Sequence, residues 1–130
     1  MNRAKDGSDA FFYDTYALFG LARGSPNYAQ YSESSRIATS YMNLYELYYM
    51  LSQDGQEALA NGLFNALIPA ALQPSPETLK AAAKFRLKHA KLKLSYIDCL
   101  GYVLAQEIRL PFLTGDEGFR GLPNVKFVKE

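Results

Sequence analysis

The stretch Phe11-Phe12-Tyr13-Asp14-Thr15 decides the fold class, because it joins a short apolar run to a carboxylate and a hydroxyl. Consecutive apolar and aromatic residues are typical of a central strand that is covered on both faces. A carboxylate where such a strand gives way to a helix stands at the carboxyl end of the strand. Open α/β sheets bind their ligands at that edge. The stretch therefore predicts a buried strand with a polar site that begins at Asp14.

Composition restricts the classes of protein to consider. The chain has 130 residues, enough for one domain with a real core, and 48% hydrophobic and 21% charged residues are typical of a globular protein. Its formal charge of +1 neither favours nor excludes nucleic acid. The single cysteine, Cys99, excludes an intramolecular disulfide and fits a reducing compartment. No apolar run approaches the ~18 residues of a membrane span, and residues 1–10 read as a polar tail. We expect a cytoplasmic protein without a membrane partner.

Turn residues and helix caps divide the chain into alternating strands and helices. Extended segments are predicted at the opening stretch and at residues 36–39, 66–70, 111–114 and 125–128. Helices are predicted at residues 15–23, 41–53, 56–67, 77–91 and 95–109, with a helix or loop at 28–35 and a short helix after Asp116. This alternation predicts a single α/β domain over residues 11–130, with a central, mostly parallel sheet of about four to five strands flanked by helices. Right-handed crossovers turn the carboxyl ends of the strands the same way.

Glu46 is the most informative acid, because its helix is apolar or aromatic on nearly every side. The only polar residues between Tyr41 and Leu51 are Asn43 and Glu46, which are three apart and share one stripe. Such a helix is expected to be largely buried, where a carboxylate costs several kcal/mol unless a metal or hydrogen bonds compensate it. The alternative is an edge position in which Glu46 reaches water.

Three aspartates are candidates to join Glu46. Asp14 and Asp116 follow predicted strands, and Asp98 lies in the first turn of the helix that leads into one of them. Each alone is explained as a helix cap. Together they predict a cluster, and clustered carboxylates remain ionised only around a cation. Oxygen ligands without His or Cys indicate Mg²⁺ or Mn²⁺, which suits hydrolysis of a phosphodiester.

The chain resembles the PIN-domain family, the ribonuclease fold of many VapC-type toxins. The resemblance rests on the order and spacing of Asp14-Thr15, Glu46 in Asn43-Leu44-Tyr45-Glu46-Leu47, Asp98 after Ser95, and Asp116 in Thr114-Gly115-Asp116-Glu117-Gly118-Phe119. It implies a three-layer fold and a metal-dependent endoribonuclease of the kind that serves as the toxin of a toxin–antitoxin pair. It also implies that Asp14, Glu46, Asp98 and Asp116 ligate one or two Mg²⁺ or Mn²⁺ ions and are the catalytic residues. Thr15, Asn43 and Thr114 would orient the ligating carboxylates, a role that ligand geometry requires.

The helix predicted at 77–91 carries the densest basic stretch of the chain. Lys80, Lys84, Lys88 and Lys91 share one face, which is either a track for RNA phosphates or an ordinary solvated surface. An apolar stripe lies beside them and consists of Leu79, Ala83, Leu87, Ala90 and Leu94. Phe85 and Leu92 would then form a second patch, which suggests a homodimer contact. His89 is predicted to be a surface residue and Cys99 to be buried packing.

Two other functions remain open. The same fold could be a nucleic-acid or protein-binding module with little activity. A receiver-like domain also clusters acids around Mg²⁺, but it needs a lysine at the end of a late strand, where this chain has Thr114-Gly115-Asp116. The favoured prediction is a ribonuclease acting on RNA, with a cognate antitoxin as a possible partner.

Overall fold

The computed structural model describes residues 9–130 and contains four strands and six α-helices in that range. The predicted tail lies outside the described residues up to residue 8, and the first strand begins at Ala10. In chain order the elements are β1 Ala10–Tyr13, α1 Thr15–Ala22, α2 Pro26–Ser34, β2 Arg36–Ala38, α3 Tyr41–Gln53, α4 Glu57–Leu67, α5 Pro76–Lys88, α6 Tyr96–Glu107, β3 Phe112–Thr114 and β4 Val125–Phe127. Three short 3₁₀ helices lie at Ile68–Ala70, Ala90–Leu92 and Glu117–Phe119.

The four strands form one parallel sheet in the order β2-β1-β3-β4. Phe12 of β1 is in register with Ala38 on one side and Phe112 on the other. Since all the strands point the same way, Asp14 after β1 and Asp116 after β3 come to the same edge of the sheet. The prediction of a parallel sheet flanked by helices is confirmed.

Alternating residues of the central strands enter two separate cores, which makes the fold three-layered. Phe12 and Phe112 are fully buried on one face, where they pack with Tyr102 of α6. Tyr13 and Leu113 are fully buried on the other face, together with residues of α1, α2, α3 and α4. The two-residue period of a strand explains this division, because successive side chains point to opposite faces.

Gly101 allows α6 to approach the sheet closely. A Cβ atom at this position would lie 3.1 Å from Cε1 of Phe12 and 3.5 Å from Oδ1 of Asn43. Gly101 is one turn after Asp98, so it faces the same side of α6. The absence of a side chain therefore brings the first turn of α6 toward β1 and α3.

The extended segment predicted at residues 66–70 is wrong. The chain continues from α4 into the 3₁₀ helix Ile68–Ala70, and the nearest strand-like feature is a single parallel bridge between Ser40 and Leu72. Pro69 near the start of this 3₁₀ helix has the backbone angle that a helical turn requires. A short apolar run does not distinguish a strand from the end of a helix.

The expected burial of α3 is also wrong. Tyr45 and Tyr49 are 64% and 61% exposed, and only one side of the helix, which includes Leu44 and Leu47, packs in the core. Tyrosine has both an apolar ring and a polar hydroxyl, so a run of tyrosines does not reveal which side of a helix is covered. Glu46 itself is partly exposed, as the edge alternative requires.

The prediction of a partner patch at Phe85 on α5 is wrong, and the helix ends at Lys88, before Lys91. Leu79 and Leu87 are 51% and 80% exposed, whereas Phe85 packs against Tyr102 of the core with ring centroids 5.0 Å apart. A homodimer patch at Phe85 is therefore excluded, and the exposed apolar side chains are on the other face. Both faces carry apolar residues, so the pattern alone does not select the inner one. Among residues 9–130, no helix is long and apolar enough to span a membrane.

Candidate active site

Asp14 is the centre of the candidate site. Its side chain is 2% exposed and accepts two hydrogen bonds. The backbone N–H of Ala17 donates to Oδ1 at 2.9 Å, which caps the N-terminus of α1, and the Thr114 hydroxyl donates to Oδ2 at 2.6 Å. A carboxylate has about four acceptor positions, so Asp14 retains capacity for a further partner.

Thr114 joins Asp14 to Asp116. Its fully buried hydroxyl oxygen donates to Asp14 and accepts the backbone N–H of Asp116 at 3.0 Å. Asp116 in turn accepts the N–H of Gly118 at 3.0 Å, which begins the following 3₁₀ helix. One hydroxyl therefore fixes the acid after β1 and the backbone of the acid after β3.

Asp98 occupies the first turn of α6 in a complete capping box. Its Oδ2 accepts the N–H of Ser95 at 2.9 Å, and its own N–H donates to the Ser95 hydroxyl at 3.0 Å. The Asp98 side chain is partly exposed. Both its backbone and its side chain are thus held at the start of the helix, on the face that Gly101 brings toward the sheet.

The polar residues beside Glu46 are organised around Asn43. The Asn43 amide donates to Oγ1 of Thr15 at 3.1 Å, and its carbonyl accepts the Ser40 hydroxyl at 2.6 Å. Thr15 therefore contacts Asn43 rather than a carboxylate, and this bond joins the start of α1 to α3. Asn43 is buried, and Glu46 follows it one turn later on the same side of the helix.

The negative charges of the acids act on one another's protonation. Burial, together with the charges of Asp98 and Asp116, raises the pKa of Asp14 to about 8, although the hydrogen bonds from Thr114 and Ala17 act in the opposite direction. Burial also raises the pKa of Asp98, and the charges of Asp116 and Glu46 act in the same direction. Asp14, Asp98 and Asp116 thus interact with one another, and Glu46 joins them through Asp98.

The four acids have no ion-pair partner among the described residues. None of the ion pairs there involves Asp14, Glu46, Asp98 or Asp116. Within residues 9–130, no three His, Cys, Asp or Glu side chains lie close enough to form a ready metal site. The cap hydrogen bonds hold the carboxylates in these orientations. Buried oxygen donors with a raised pKa nevertheless fit a hard divalent cation, which would stabilise their ionised forms.

Comparison with known proteins assigns the fold to a family. A family model described as PIN domain matches residues 11–125. The chain belongs to the PIN-domain family. Comparison with curated protein sequences finds no match.

Solved structures share the fold of this PIN domain. A toxin–antitoxin complex from Klebsiella pneumoniae is similar with 21% identity and a TM-score of 0.76, over 93% of this chain and 100% of that one. The Mycobacterium tuberculosis toxin VapC20, which is described as cleaving the sarcin–ricin loop, has 14% identity and a TM-score of 0.78 over the same shares. VapBC2 from Rickettsia felis, bound to a promoter DNA fragment, has 16% identity and a TM-score of 0.68 over 92% and 98%. At these identities the likeness shows the fold.

Sequence reasoning missed a contact between Tyr16 and Gly115 at the edge of the PIN-domain acid cluster. A Cβ atom on Gly115 would lie 2.3 Å from Cε1 of Tyr16 and 2.4 Å from the carbonyl oxygen of Val128. Tyr16 also accepts the backbone N–H of Glu130 at 3.1 Å through its hydroxyl. The closing residues of the PIN domain therefore pack over the segment between Thr114 and Asp116. The only feature of the sequence that could have indicated this close packing is the glycine directly before Asp116.

Lys129 is a cation near this segment that the sequence did not single out. Its ammonium donates to the Gly115 carbonyl at 3.2 Å, lies 3.4 Å from a carboxylate oxygen of Glu117, and lies 5.6 Å from the centre of the Tyr16 ring. Hydrogen bonds from Arg120 and, to a lesser extent, from Lys129 lower the pKa of exposed Glu117 to about 2. Lys129 is thus held against Gly115, the residue directly before Asp116.

The remaining candidate residues lie away from the acids along α5 and the turn after it. Lys80, Lys84, Lys88 and Lys91 are exposed, and Lys91 lies in the 3₁₀ helix beyond the end of α5. Within the described part of the chain, no ion pair joins these lysines to the four acids of the candidate site. His89 is half-buried against Phe85, with ring centroids 4.4 Å apart, rather than on the surface as predicted. Cys99 is buried as predicted, and burial raises the pKa of its thiol to about 11.

Proposed function

We propose that this PIN domain is an endoribonuclease in which Asp14, Glu46, Asp98 and Asp116 bind Mg²⁺ or Mn²⁺. The observation that carries the proposal is the buried carboxylate of Asp14, which is affected by the charges of Asp98 and Asp116 and forms no ion pair with any of residues 9–130. An uncompensated buried carboxylate is costly, and a divalent cation is a partner that removes the cost. The membership of the PIN-domain family supports the same assignment.

The residues of the chain would position the site. Thr114 and the Ala17 N–H fix both oxygens of Asp14, and the capping box fixes Asp98, so these two carboxylates have defined orientations before a metal binds. When bound, the divalent ion supplies Lewis-acid polarisation of a phosphoryl oxygen and lowers the pKa of water. Lys129 lies where it would attract a phosphate of the RNA toward Asp116. RNA as substrate and the cytoplasm as location are parts of this proposal.

Two matched carboxylate variants test the proposal. Asp14→Asn removes one charge from the cluster and should abolish Mn²⁺-dependent RNA cleavage and weaken Mn²⁺ binding measured by calorimetry. Asp54→Asn changes an exposed carboxylate at the end of α3 and should leave both unchanged. Metal-dependent cleavage that persists in purified Asp14→Asn protein would refute the assignment. Circular dichroism checks that both variants fold.

A cognate antitoxin is the partner that we propose. Two of the similar structures are described as a toxin–antitoxin complex and as VapBC2, which supports a toxin role for this chain. An antitoxin would cover the acidic cluster and block RNA from reaching Asp14. Co-expression with the product of a neighbouring open reading frame should restore growth that the wild-type chain inhibits. The Asp14→Asn chain should not inhibit growth, with or without that partner.

Self-association is a separate part of the proposal. Leu79 and Leu87 form an exposed apolar face on α5, and burying that face in a homodimer would remove it from water. Sedimentation velocity should show a dimer that Leu87→Lys converts to a monomer. Because Leu87 is 80% exposed, this change should leave the fold intact. A wild-type monomer at high concentration would disprove the homodimer.

A catalytically weak binding module is the second candidate, and one observation favours it. Asp14, Asp98 and Asp116 already cap helices, and no three acids within residues 9–130 are close enough to hold an ion as they stand. A binding module would bind RNA without Mn²⁺ and would show no binding heat on titration with Mn²⁺. The nuclease assignment instead predicts measurable Mn²⁺ binding that requires Asp14.

A further inference from the structure

A pocket that the proposed chemistry does not use opens between the end of α5 and the start of α6. Its volume is about 320 Å³, near the lower end of the about 300–1,000 Å³ typical of ligand sites. Its polar lining consists of three basic side chains and one tyrosine, with no carboxylate: Arg86, His89, Lys93 and Tyr96. Basic side chains beside an aromatic ring are the combination that binds single-stranded nucleic acid.

Arg86 and Tyr96 form a preorganised stack at this pocket. The guanidinium carbon of Arg86 lies 4.0 Å from the centre of the Tyr96 ring, and Nε donates to the backbone carbonyl of Leu94 at 2.9 Å. Tyr96 remains 75% exposed although the guanidinium covers part of it. Since Arg86 is partly buried and anchored to the backbone, the orientation of the ring is set before any ligand arrives.

We propose that the exposed ring of Tyr96 stacks on a base of single-stranded RNA whose phosphates interact with Lys93 and Arg86. The proposal rests on the proposed nuclease function and adds a subsite to it. Tyr96 and Asp98 both lie in the first turn of α6, two residues apart and hence on nearly opposite sides of a helix about 10–12 Å across. At about 3.4 Å per stacked nucleotide, that width corresponds to about three nucleotides. The pocket therefore binds a base near the scissile phosphate and not at it.

The chemistry of the pocket favours RNA over a protein partner. The lining has three positive or potentially positive groups and no acid, which suits phosphates and repels basic peptides. A base reaches the Tyr96 ring only if it is unpaired, because a duplex keeps its bases stacked inside. The subsite would therefore select single-stranded or looped RNA over duplex RNA.

Fluorescence anisotropy in EDTA tests the subsite without cleavage. The probe is a short labelled single-stranded RNA, with the same sequence annealed into a duplex for comparison. Tyr96→Ala should weaken binding of the single strand about 5- to 100-fold, the range expected for loss of one stacked base, and leave the salt dependence unchanged. Lys93→Gln should instead reduce the slope of log K against log salt by about one. Tyr96→Phe retains the ring and should bind as the wild type does.

Tyr45→Ala is the matched control, because Tyr45 is exposed to a similar degree and no arginine among residues 9–130 stacks on its ring. An equal loss in Tyr45→Ala, unchanged affinity in Tyr96→Ala, or an equal loss for duplex RNA would each overturn the subsite. So would disruption of self-association by Tyr96→Ala with RNA binding intact, which would make the pocket a protein contact. Failure of the nuclease assignment is distinguishable, since it is judged by cleavage in Asp14→Asn and not by binding in EDTA.

Discussion

The Thr114 hydroxyl donates a hydrogen bond to Oδ2 of Asp14 at 2.6 Å, across 100 residues of chain. It joins the ends of β1 and β3, the two central strands of the sheet. Because both groups are buried, this bond fixes the central carboxylate of the candidate site in a way that solvent could not.

Removal of the Thr114 hydroxyl should destabilise the protein. Thr114→Val leaves an oxygen of buried Asp14 without its donor, which should lower the free energy of unfolding by about 1–3 kcal/mol. Urea denaturation at constant pH measures the change. Thr114→Ser keeps the hydroxyl and should cost less, and equal stability of the Val variant and the wild type would show that the bond contributes nothing.

Asp14 should make the metal-free protein less stable as pH rises. Its pKa is raised to about 8 when folded, so between the unfolded value of 3.8 and that pH the unfolded chain releases the proton more readily. Stability attributable to Asp14 should therefore fall across this window, on the order of 1.4 kcal/mol per pH unit at most, and level off above it. Asp98, whose pKa is also raised, acts with the same sign.

The difference between wild type and Asp14→Asn isolates this effect from other titrating groups. Thermal denaturation in EDTA from about pH 4 to about pH 9 spans this window. The stability of Asp14→Asn should change less with pH than that of the wild type. Addition of Mn²⁺ should stabilise the wild type most at high pH, because binding requires the ionised carboxylate. Parallel profiles of the two proteins in EDTA would contradict the raised pKa.

Gly101 and Gly62 should respond oppositely to alanine. In Gly101→Ala the new Cβ lies 3.1 Å from Phe12, so the Phe12 ring or α6 must move apart in a tightly packed core, and we expect a loss of about 1–3 kcal/mol. A Cβ on Gly62 of α4 meets no atom within 4 Å, so Gly62→Ala should gain about 0.5–1 kcal/mol. Chemical denaturation compares the two. Equal effects would mean that the close approach of α6 does not depend on Gly101.

The lysines of α5 should contribute to RNA binding through charge alone. Lys84→Gln and Lys88→Gln should each lower the salt slope of RNA binding by about one and weaken binding for all sequences alike. Lys126→Gln on β4 also removes an exposed lysine and serves as the control. An unchanged slope in the α5 variants would make this face an ordinary solvated surface.

Local patterns predicted most elements because their signals lie within a few residues. Ser40 caps α3, Ser75 caps α5, and Ser95 with Asp98 caps α6, at the positions that their side chains indicate. The aromatic run before Asp14 forms a central strand as predicted. The extended segment predicted at residues 66–70 was wrong because Pro69 in a short apolar run is compatible with both a strand end and a helical turn.

The candidate acids could be chosen from the sequence, but the hydrogen bonds and packing around them could not. The carboxyl-edge rule for parallel sheets locates Asp14 and Asp116 from sequence alone. The bond from Thr114 to Asp14, the pairing of Thr15 with Asn43, and the packing of Tyr16 on Gly115 all join residues distant in sequence. Spacing along the chain carries no information about such contacts.

The sequence by itself determined the order of strands and helices outside residues 66–70, the helix caps, and the acids at the ends of β1 and β3. Only the tertiary structure decided which faces of α3 and α5 are covered, and that Asp14 is buried within the field of Asp98 and Asp116. The physical reason is that caps and strand periodicity arise from local backbone geometry. Burial and electrostatic coupling are consequences of packing among distant segments, which local patterns do not encode.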